Sequence, residues 1–478
     1  MYLKKLNIKN FRCFKDYEVE FAPRVTVLFG KNGAGKTTLI HAIRKALSFM
    51  MLSEKIKEKD PKTKKMKPVG EKTLRRGNPY VSVEGYSLIG DTHAQGTMRS
   101  DYLVEIGAEA KLDNLDRHEG LDWSMSAYAI NCRLRPSEYK DAFEKLYYWH
   151  QNTNTLPLLA YYSDGYPHYS PFGKQKKEKT KEAFLVKSEI KSIGYTDWST
   201  ESGCTNAWVV RLETQIRKVE NLQRQINSYL ANKDGAIDSS VGWSETGYNK
   251  ASEELKDATK EIEFITTALR KFSENELAIA VDVLDLSPYD AHLRIMTKDR
   301  HAYSFRNLPA GYKRLFSIAL DLAYRSFFLG GCLDVVGVAI IDEIDQHLHP
   351  ELEKVVLGRF MDTFPNLQFI VSTHSPLVLT GIKTIDGQNK ILKMLPHQVK
   401  PTPMFDIYGL DMNSGLQEVM DVNPNNEELN RWISRCAYMI SKGYKEQAEN
   451  LKKSILEKGV LSPETIDKRI SESLKKLG

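Results

Sequence analysis

Only five cysteines occur in 478 residues, Cys13, Cys132, Cys204, Cys332 and Cys436, and no two form a CxxC pair. That scarcity argues against a disulfide framework and against a zinc site. Long apolar runs are missing too: nothing approaches the roughly 18 residues of a membrane span, and the opening MYLKKLNIKNFR lacks the apolar core of a signal peptide. The expectation is a cytoplasmic chain with no membrane partner. Excess charge is equally scarce, since 68 Lys+Arg against 62 Asp+Glu leave a formal +6. Over this length such a balance demands no polyanionic partner, so the distribution of charge counts for more than its sum. What is present, 41% hydrophobic residues and a mean hydropathy of -0.44, describes a globular chain with room for two or three domains or one large core with insertions.

Alternation at Leu6, Ile8, Tyr17, Val19 and Phe21 predicts half-buried strands, and the apolar VTVLF that follows predicts a buried one. Leu39, Ile43, Leu47 and Met50 then recur at helical spacing. From Glu54 to Gly77 a lysine-rich stretch with two prolines predicts an exposed loop. Alternating segments up to about residue 134 predict an antiparallel sheet, and LPLLAYY from Leu156 a buried strand. A second lysine-rich segment begins at Gly173. Beyond it, Leu212, Ile216, Val219, Leu222, Ile226 and Tyr229, then Leu255, Ala258, Ile262, Ile265, Leu269 and Phe272, step by threes and fours. These predict a helical hairpin with helices roughly 30 to 35 Å long. Pattern alone leaves open whether it projects as an arm or packs on the body.

GKNGAGKT, spanning Gly30, Lys31, Asn32, Gly33, Ala34, Gly35, Lys36 and Thr37 and followed by Thr38, matches GxxxxGK[ST] after a strand and before a helix. Glycines let backbone N–H groups turn inward around a polyphosphate. The helix N-terminus adds partial positive charge, Lys36 reaches terminal phosphates, and the Thr37 hydroxyl is a candidate Mg²⁺ ligand. VAIIDEIDQHLHP ends an apolar strand in two acids. Asp342 is the candidate Mg²⁺ carboxylate, and Glu343 the group that orients or deprotonates water. STHSP ends a further strand and puts His374 where open α/β sheets bind ligands.

Taken in order, NFRCF, GKNGAGKT, LPAGYKR, IDEIDQHLHP and STHSP resemble the ABC-type ATPases of the SMC/RecF class, in particular its OLD-like branch. The resemblance covers residues 1–50 and 307–379. It implies an α/β fold: an ABC-type P-loop ATPase head, a mixed sheet with flanking helices and an antiparallel β subdomain, with an inserted helical hairpin. It implies four segments: 1–165 as the N-terminal lobe with the phosphate loop, 166–275 as the lysine-rich insertion and hairpin, 276–400 as the C-terminal lobe, and 401–478 as a helical, partner-binding tail. ATP and Mg²⁺ are the implied cofactors. LPAGYKR takes the place of the signature sequence, so that Gly311, Tyr312 and Lys313, with Arg314 as a further cation, would meet the nucleotide of a second subunit. Arg12 matches an N-terminal arginine that lies near nucleotide in relatives; a solvent-facing strand cation is the alternative.

This chain departs from that pattern in places. Pro309 replaces the signature serine and Ala310 its second small residue, which implies slow turnover. His349 stands where an aspartate is common, and Gln95 and Gln151 are only positional candidates for the Q-loop glutamine. His347 and His349 could suggest a metal, yet the OLD-like HLHP form favours a structural pair. From Asn389 onward no strand-DxD arrangement of a TOPRIM nuclease is visible. The chain resembles the ATPase subunits of antiphage systems such as Septu, which implies an ATP-dependent homodimer or larger assembly, DNA, and a separate nuclease of HNH type as partners. A RecF-like repair ATPase and a nucleotide-locked scaffold with little turnover are the alternatives.

Overall fold

Alternation in the first twenty residues becomes a hairpin: β1 (Tyr2–Phe11) and β2 (Phe14–Glu20) pair antiparallel, with Leu6 opposite Val19 and Ile8 opposite Tyr17, all four buried. In this computed structural model the described residues are 1–50, 104–112, 120–127, 138–167, 191–200, 204–233, 245–274, 277–384, 387–405, 407–410, 427–457 and 463–477, with three isolated positions (415, 419 and 420) and four short strands between 52 and 76. Gln95 and the segment Lys174–Lys181 lie outside them. The chain divides into two units, Met1–Gly409 and Leu410–Gly478.

After β3 (Val25–Phe29) and α1 (Lys36–Leu47), the lysine-rich run departs from the loop expected of it. Its strands β4 (Leu52–Glu54), β5 (Lys57–Lys59), β6 (Met66–Pro68) and β7 (Leu74–Arg76) pair as β4 with β7 and β5 with β6. Glu58 stands opposite Lys67 in that register. Next, β8 (Val104–Lys111) and β9 (Gly120–Ala127) complete a four-stranded antiparallel sheet in the order β2-β1-β8-β9.

The core sheet has the order β10-β14-β15-β3-β16-β17. Between α2 (Lys140–Thr153) and the rest of the head comes β10 (Leu158–Tyr162). Two long helices follow, α3 (Thr205–Lys233) and α4 (Glu245–Ser273), then an antiparallel meander of β11 (Val283–Leu286), β12 (Leu293–Met296) and β13 (Ala302–Ser304). The chain returns to the core through α5 (Ala310–Leu329), β14 (Gly337–Ile341), α6 (Pro350–Thr363), β15 (Leu367–Ser372), α7 (Pro376–Thr380), β16 (Asn389–Lys393) and β17 (Thr402–Met404). All pairings in this sheet are parallel except β16 with β17. β3, β10, β14 and β15 are buried at every position, as strands of parallel sheets usually are, and so read as continuous apolar runs rather than as alternation.

Each hairpin helix has 29 residues, so about 43 Å at 1.5 Å per residue, longer than the periodic stretch implied because the helices run past it at both ends. Both readings of the hairpin hold in part. Its root packs on the head: Trp208 stacks on Tyr324 of α5 at 4.8 Å, and Phe272 meets Phe360 of α6 at 4.8 Å. Its distal half closes on itself through Leu222, Tyr229 and Ala251, with Ile226, Tyr248 and Leu255 packed against them.

At the root Asp321 is fully buried and accepts from the Tyr162 hydroxyl (2.7 Å), Trp208 Nε1 (2.7 Å) and Arg325 Nε (2.6 Å). One turn along α3, Arg211 forks onto Glu261 of α4 with two bonds of 2.7 Å. The second unit consists of α8 (Glu427–Ser441), α9 (Lys445–Glu457) and α10 (Pro463–Leu477) around Ile433, Cys436, Ala437, Ile466 and Ile470. Among the described residues no helix is long and apolar enough to cross a membrane.

Candidate active site

Three glycines with positive φ shape the loop between β3 and α1: Gly30 (153°), Gly33 (82°) and Gly35 (95°), conformations that side chains resist. A Cβ on Gly30 would lie 2.2 Å from the Met394 carbonyl oxygen, and one on Gly35 2.7 Å from the Phe14 ring. The loop is therefore wedged between the end of β16 and the β1–β2 turn. Lys31, Asn32 and Gly33 remain exposed, Ala34 is buried, and Thr37 and Thr38 open α1. Inside the loop the Lys36 ammonium donates to the carbonyls of Gly30 (2.8 Å) and Lys31 (3.4 Å). Burial lowers its pKa, and the charges of Asp342, Glu343 and Asp345 oppose that shift.

Those acids follow β14. Between β14 and β3 lies β15, so the last residues of three parallel strands face one another at a single sheet edge. Asp342 is 4% exposed; it accepts from the Ser372 hydroxyl at the end of β15 and also hydrogen-bonds the Thr37 hydroxyl. Burial raises its pKa, opposed first by the Ser372 bond, while the charge of Asp164 adds to the rise. Thr37 and Asp342 thus bring two hard oxygen donors together beside Lys36, a set that fits Mg²⁺.

Glu343 adopts a left-handed conformation at φ 48°, rare for a side-chain-bearing residue and typical of functional turns. Its N–H donates to Ser372 Oγ at 2.8 Å. Its carboxylate lies 4.0 Å from His374 Nε2, with the two side chains 39% and 40% exposed. Burial raises the Glu343 pKa, the negative Asp342 raises it further, and His374 opposes both. Asp345 fixes the histidine's backbone, accepting from the His374 N–H at 3.2 Å and from Thr373 Oγ1 at 2.5 Å.

Arg12 lies in the β1–β2 turn at φ 49°, its guanidinium 5.6 Å from the Phe11 ring. The next two residues, Cys13 and Phe14, are the ones that crowd Gly35, so this turn abuts the phosphate loop. Gln151 is exposed in the last turn of α2, ahead of β10. His349 caps α6, its Nδ1 accepting from the Glu351 N–H at 3.4 Å.

The signature segment forms the first turn of α5. Pro309 and Ala310 face solvent. Gly311 has a reason within its own chain to lack a side chain, since a Cβ there would meet the His347 carbonyl oxygen at 2.6 Å. Tyr312 accepts from the Ala278 N–H at 3.0 Å, and Lys313 Nζ donates to the Arg306 carbonyl at 2.7 Å. Arg314, expected as a cation for a second subunit's phosphates, is 1% exposed and turned into its own chain. Sequence gives the charge of such a residue but not its direction. Two groups escaped the sequence reading, Arg314 in its inward role and Asp164, whose carboxylate raises the pKa of both Asp342 and Glu343. A position two residues beyond the buried strand Leu158–Tyr162, at the C-terminal edge of a parallel sheet, was the signal for Asp164.

A phosphate loop on β3, paired acids after β14 and a histidine after the intervening β15 define an ABC-type P-loop ATPase head of the SMC/RecF/OLD-like kind. The chain belongs to the AAA domain family, whose model matches residues 5–276, more than half of its length. A second model, described as "AAA domain, putative AbiEii toxin, Type IV TA system", matches residues 211–380. The retron Vc95 probable ATPase of Vibrio cholerae serotype O1 biovar El Tor is 23% identical over 473 residues, 93% of this chain and 84% of that one. Septu protein PtuA of Bacillus mycoides strain KBAB4 is 36% identical over 99 residues, 19% of this chain and 13% of that one. Among solved structures, an Smc head bound to the C-winged helix domain of ScpA aligns over 85% of this chain and 98% of that chain, at 14% identity and a TM-score of 0.42. The protein is an ATPase.

Proposed function

We propose that two copies of this ATPase close around ATP and that the assembly senses DNA and controls a separate nuclease, of HNH type, in antiviral defence in the cytoplasm. The observation that carries the hydrolytic part is the convergence of Lys36, Asp342, Glu343 and His374 at one sheet edge. Lys36 balances the terminal phosphates; Thr37 and Asp342 hold Mg²⁺, which when bound withdraws charge from the phosphoryl oxygens. Glu343 orients a water and accepts its proton, and the His374 ring next to it contacts the γ-phosphate. Arg12 and the backbone N–H groups of Lys31 to Thr38 complete the cradle.

Dimerisation is supported by the start of α5, where Pro309 and Ala310 are exposed at a helix N-terminus of the kind that favours phosphate, with Gly311, Tyr312 and Lys313 in the same turn. The retron and Septu relatives support the defence role, and the lysine-rich segments of the sequence from Lys62 to Arg76 and from Lys174 to Lys181 are those we assign to DNA phosphates. Pro309 also favours a second reading, a nucleotide-locked scaffold, because it removes the signature hydroxyl.

Comparison of Lys36→Ala with Glu343→Gln by light scattering, with and without ATP and Mg²⁺, separates them. ATP-dependent doubling of mass in wild type, loss in Lys36→Ala and persistence in Glu343→Gln are expected. A monomer under every condition overturns the dimer. A wild type that doubles in mass but turns over no faster than Glu343→Gln selects the scaffold.

A further inference from the structure

Arg314 closes the motif that the resemblance would send to a second subunit, yet its guanidinium is enclosed by its own chain. Nη1 donates to the carbonyls of Asp164 and Tyr166, the latter at 2.8 Å, and lies 3.5 Å from Gln346 Oε1. Nη2 donates to the carbonyls of Ser163 (3.2 Å), Asp342 (2.8 Å) and Glu343 (3.1 Å). Five backbone oxygens from two loops thus converge on one planar cation. One loop follows β10 and carries Asp164; the other follows β14 and carries Asp342 and Glu343. The strands that precede them are neighbours in the sheet, with Tyr162 opposite Ile341.

Among the described residues no carboxylate is hydrogen-bonded to this guanidinium, although the charges of Asp164, Asp345, Asp342 and Glu343 favour its charged form, so the site is not an ordinary buried ion pair. A buried charge hydrogen-bonded mainly to backbone carbonyls is costly and would not be needed to pack these loops. A planar fork, by contrast, fixes the relative position of every group it binds. One of those groups is the carbonyl of Glu343, the residue held at φ 48°.

We infer that Arg314 is a positioning residue for ATP hydrolysis: it ties the signature helix α5 to the Glu343 turn and to the Asp164 loop within one chain, holding the Glu343 carboxylate at its working distance from nucleotide. The inference rests on the hydrolytic role of Glu343 given above. It makes α5 answerable at both ends of its first turn, through exposed Pro309 and Ala310 to whatever docks there and through Arg314 to the catalytic turn.

The test splits binding from turnover. Arg314→Lys keeps the charge and loses the fork; Arg314→Ala leaves a space that guanidinium ion fits. Affinity for a fluorescent ATP analogue within about threefold of wild type, with kcat lowered roughly tenfold to a hundredfold in both variants, is expected from a displaced catalytic group. Millimolar guanidinium added to Arg314→Ala is expected to restore part of kcat with no change in affinity, a response that a role in folding alone would not give. If Arg314→Ala does not fold, the split in Arg314→Lys decides. Affinity falling by the same factor as kcat, or a kcat within about twofold of wild type, overturns the inference. Glu343→Gln distinguishes the two levels: full turnover in that variant removes the role of Glu343, whereas an inert Glu343→Gln beside an unimpaired Arg314→Lys removes only the role of Arg314.

Discussion

The Ser372 hydroxyl donates to the Asp342 carboxylate and accepts the N–H of Glu343 at 2.8 Å, so one side chain on β15 sets both acids that follow β14. Ser372→Ala leaves a buried carboxylate and an N–H short of a partner, at a cost of about 1–3 kcal/mol. The unfolding free energy is expected to fall by that amount, and kcat to drop about tenfold as the Glu343 turn relaxes. Wild-type kcat in a folded Ser372→Ala protein counts against this arrangement.

Lys36→Ala is expected to abolish measurable binding of ATP, because the ammonium is the only cation among the described groups held inside the phosphate loop. Glu343→Gln is expected to keep binding and to lose at least a hundredfold in kcat. Equilibrium binding beside a phosphate-release assay checks both.

The pH profile has a definite sign. Burial and the neighbouring Asp342 raise the Glu343 pKa, so its protonated, inactive form persists to higher pH than in a free glutamate. The acid limb of kcat/KM, which reports the free enzyme, is therefore expected to lie above the ordinary glutamate value of about 4.3. A profile level down to that value, in protein shown to be folded, would exclude Glu343 as the base.

Breaking the Arg211–Glu261 pair tests the root of the hairpin. Both side chains are at most 5% exposed and joined by two bonds of 2.7 Å. Glu261→Ala removes the carboxylate from a buried guanidinium and is expected to cost about 3–5 kcal/mol, whereas replacing both by apolar residues of similar size is expected to cost far less. Chemical unfolding of the single and double variants reads the difference.

Much of the head was legible because its chemistry leaves marks on the chain. Continuous apolar runs betray β3, β10, β14 and β15, glycines betray the phosphate loop, and the two acids after VAII stand where a strand must end. The hairpin was legible by period, but its division into packed root and self-contained tip depends on contacts with Tyr324 and Phe360 that no spacing encodes. Charge runs misled in two ways. Lysines between 57 and 67 hid a strand pairing, and the cations of LPAGYKR look alike on paper, although Lys313 lies near the surface and Arg314 does not.

Asp321 lies where β10, α3 and α5 meet, and each contributes a donor to the same carboxylate. The carboxylate and its three donors are each at most 2% exposed, so loss of any one bond leaves a buried polar group short of a partner. The base of the long helices is thus tied to the helix that begins at Ala310 through one shared carboxylate.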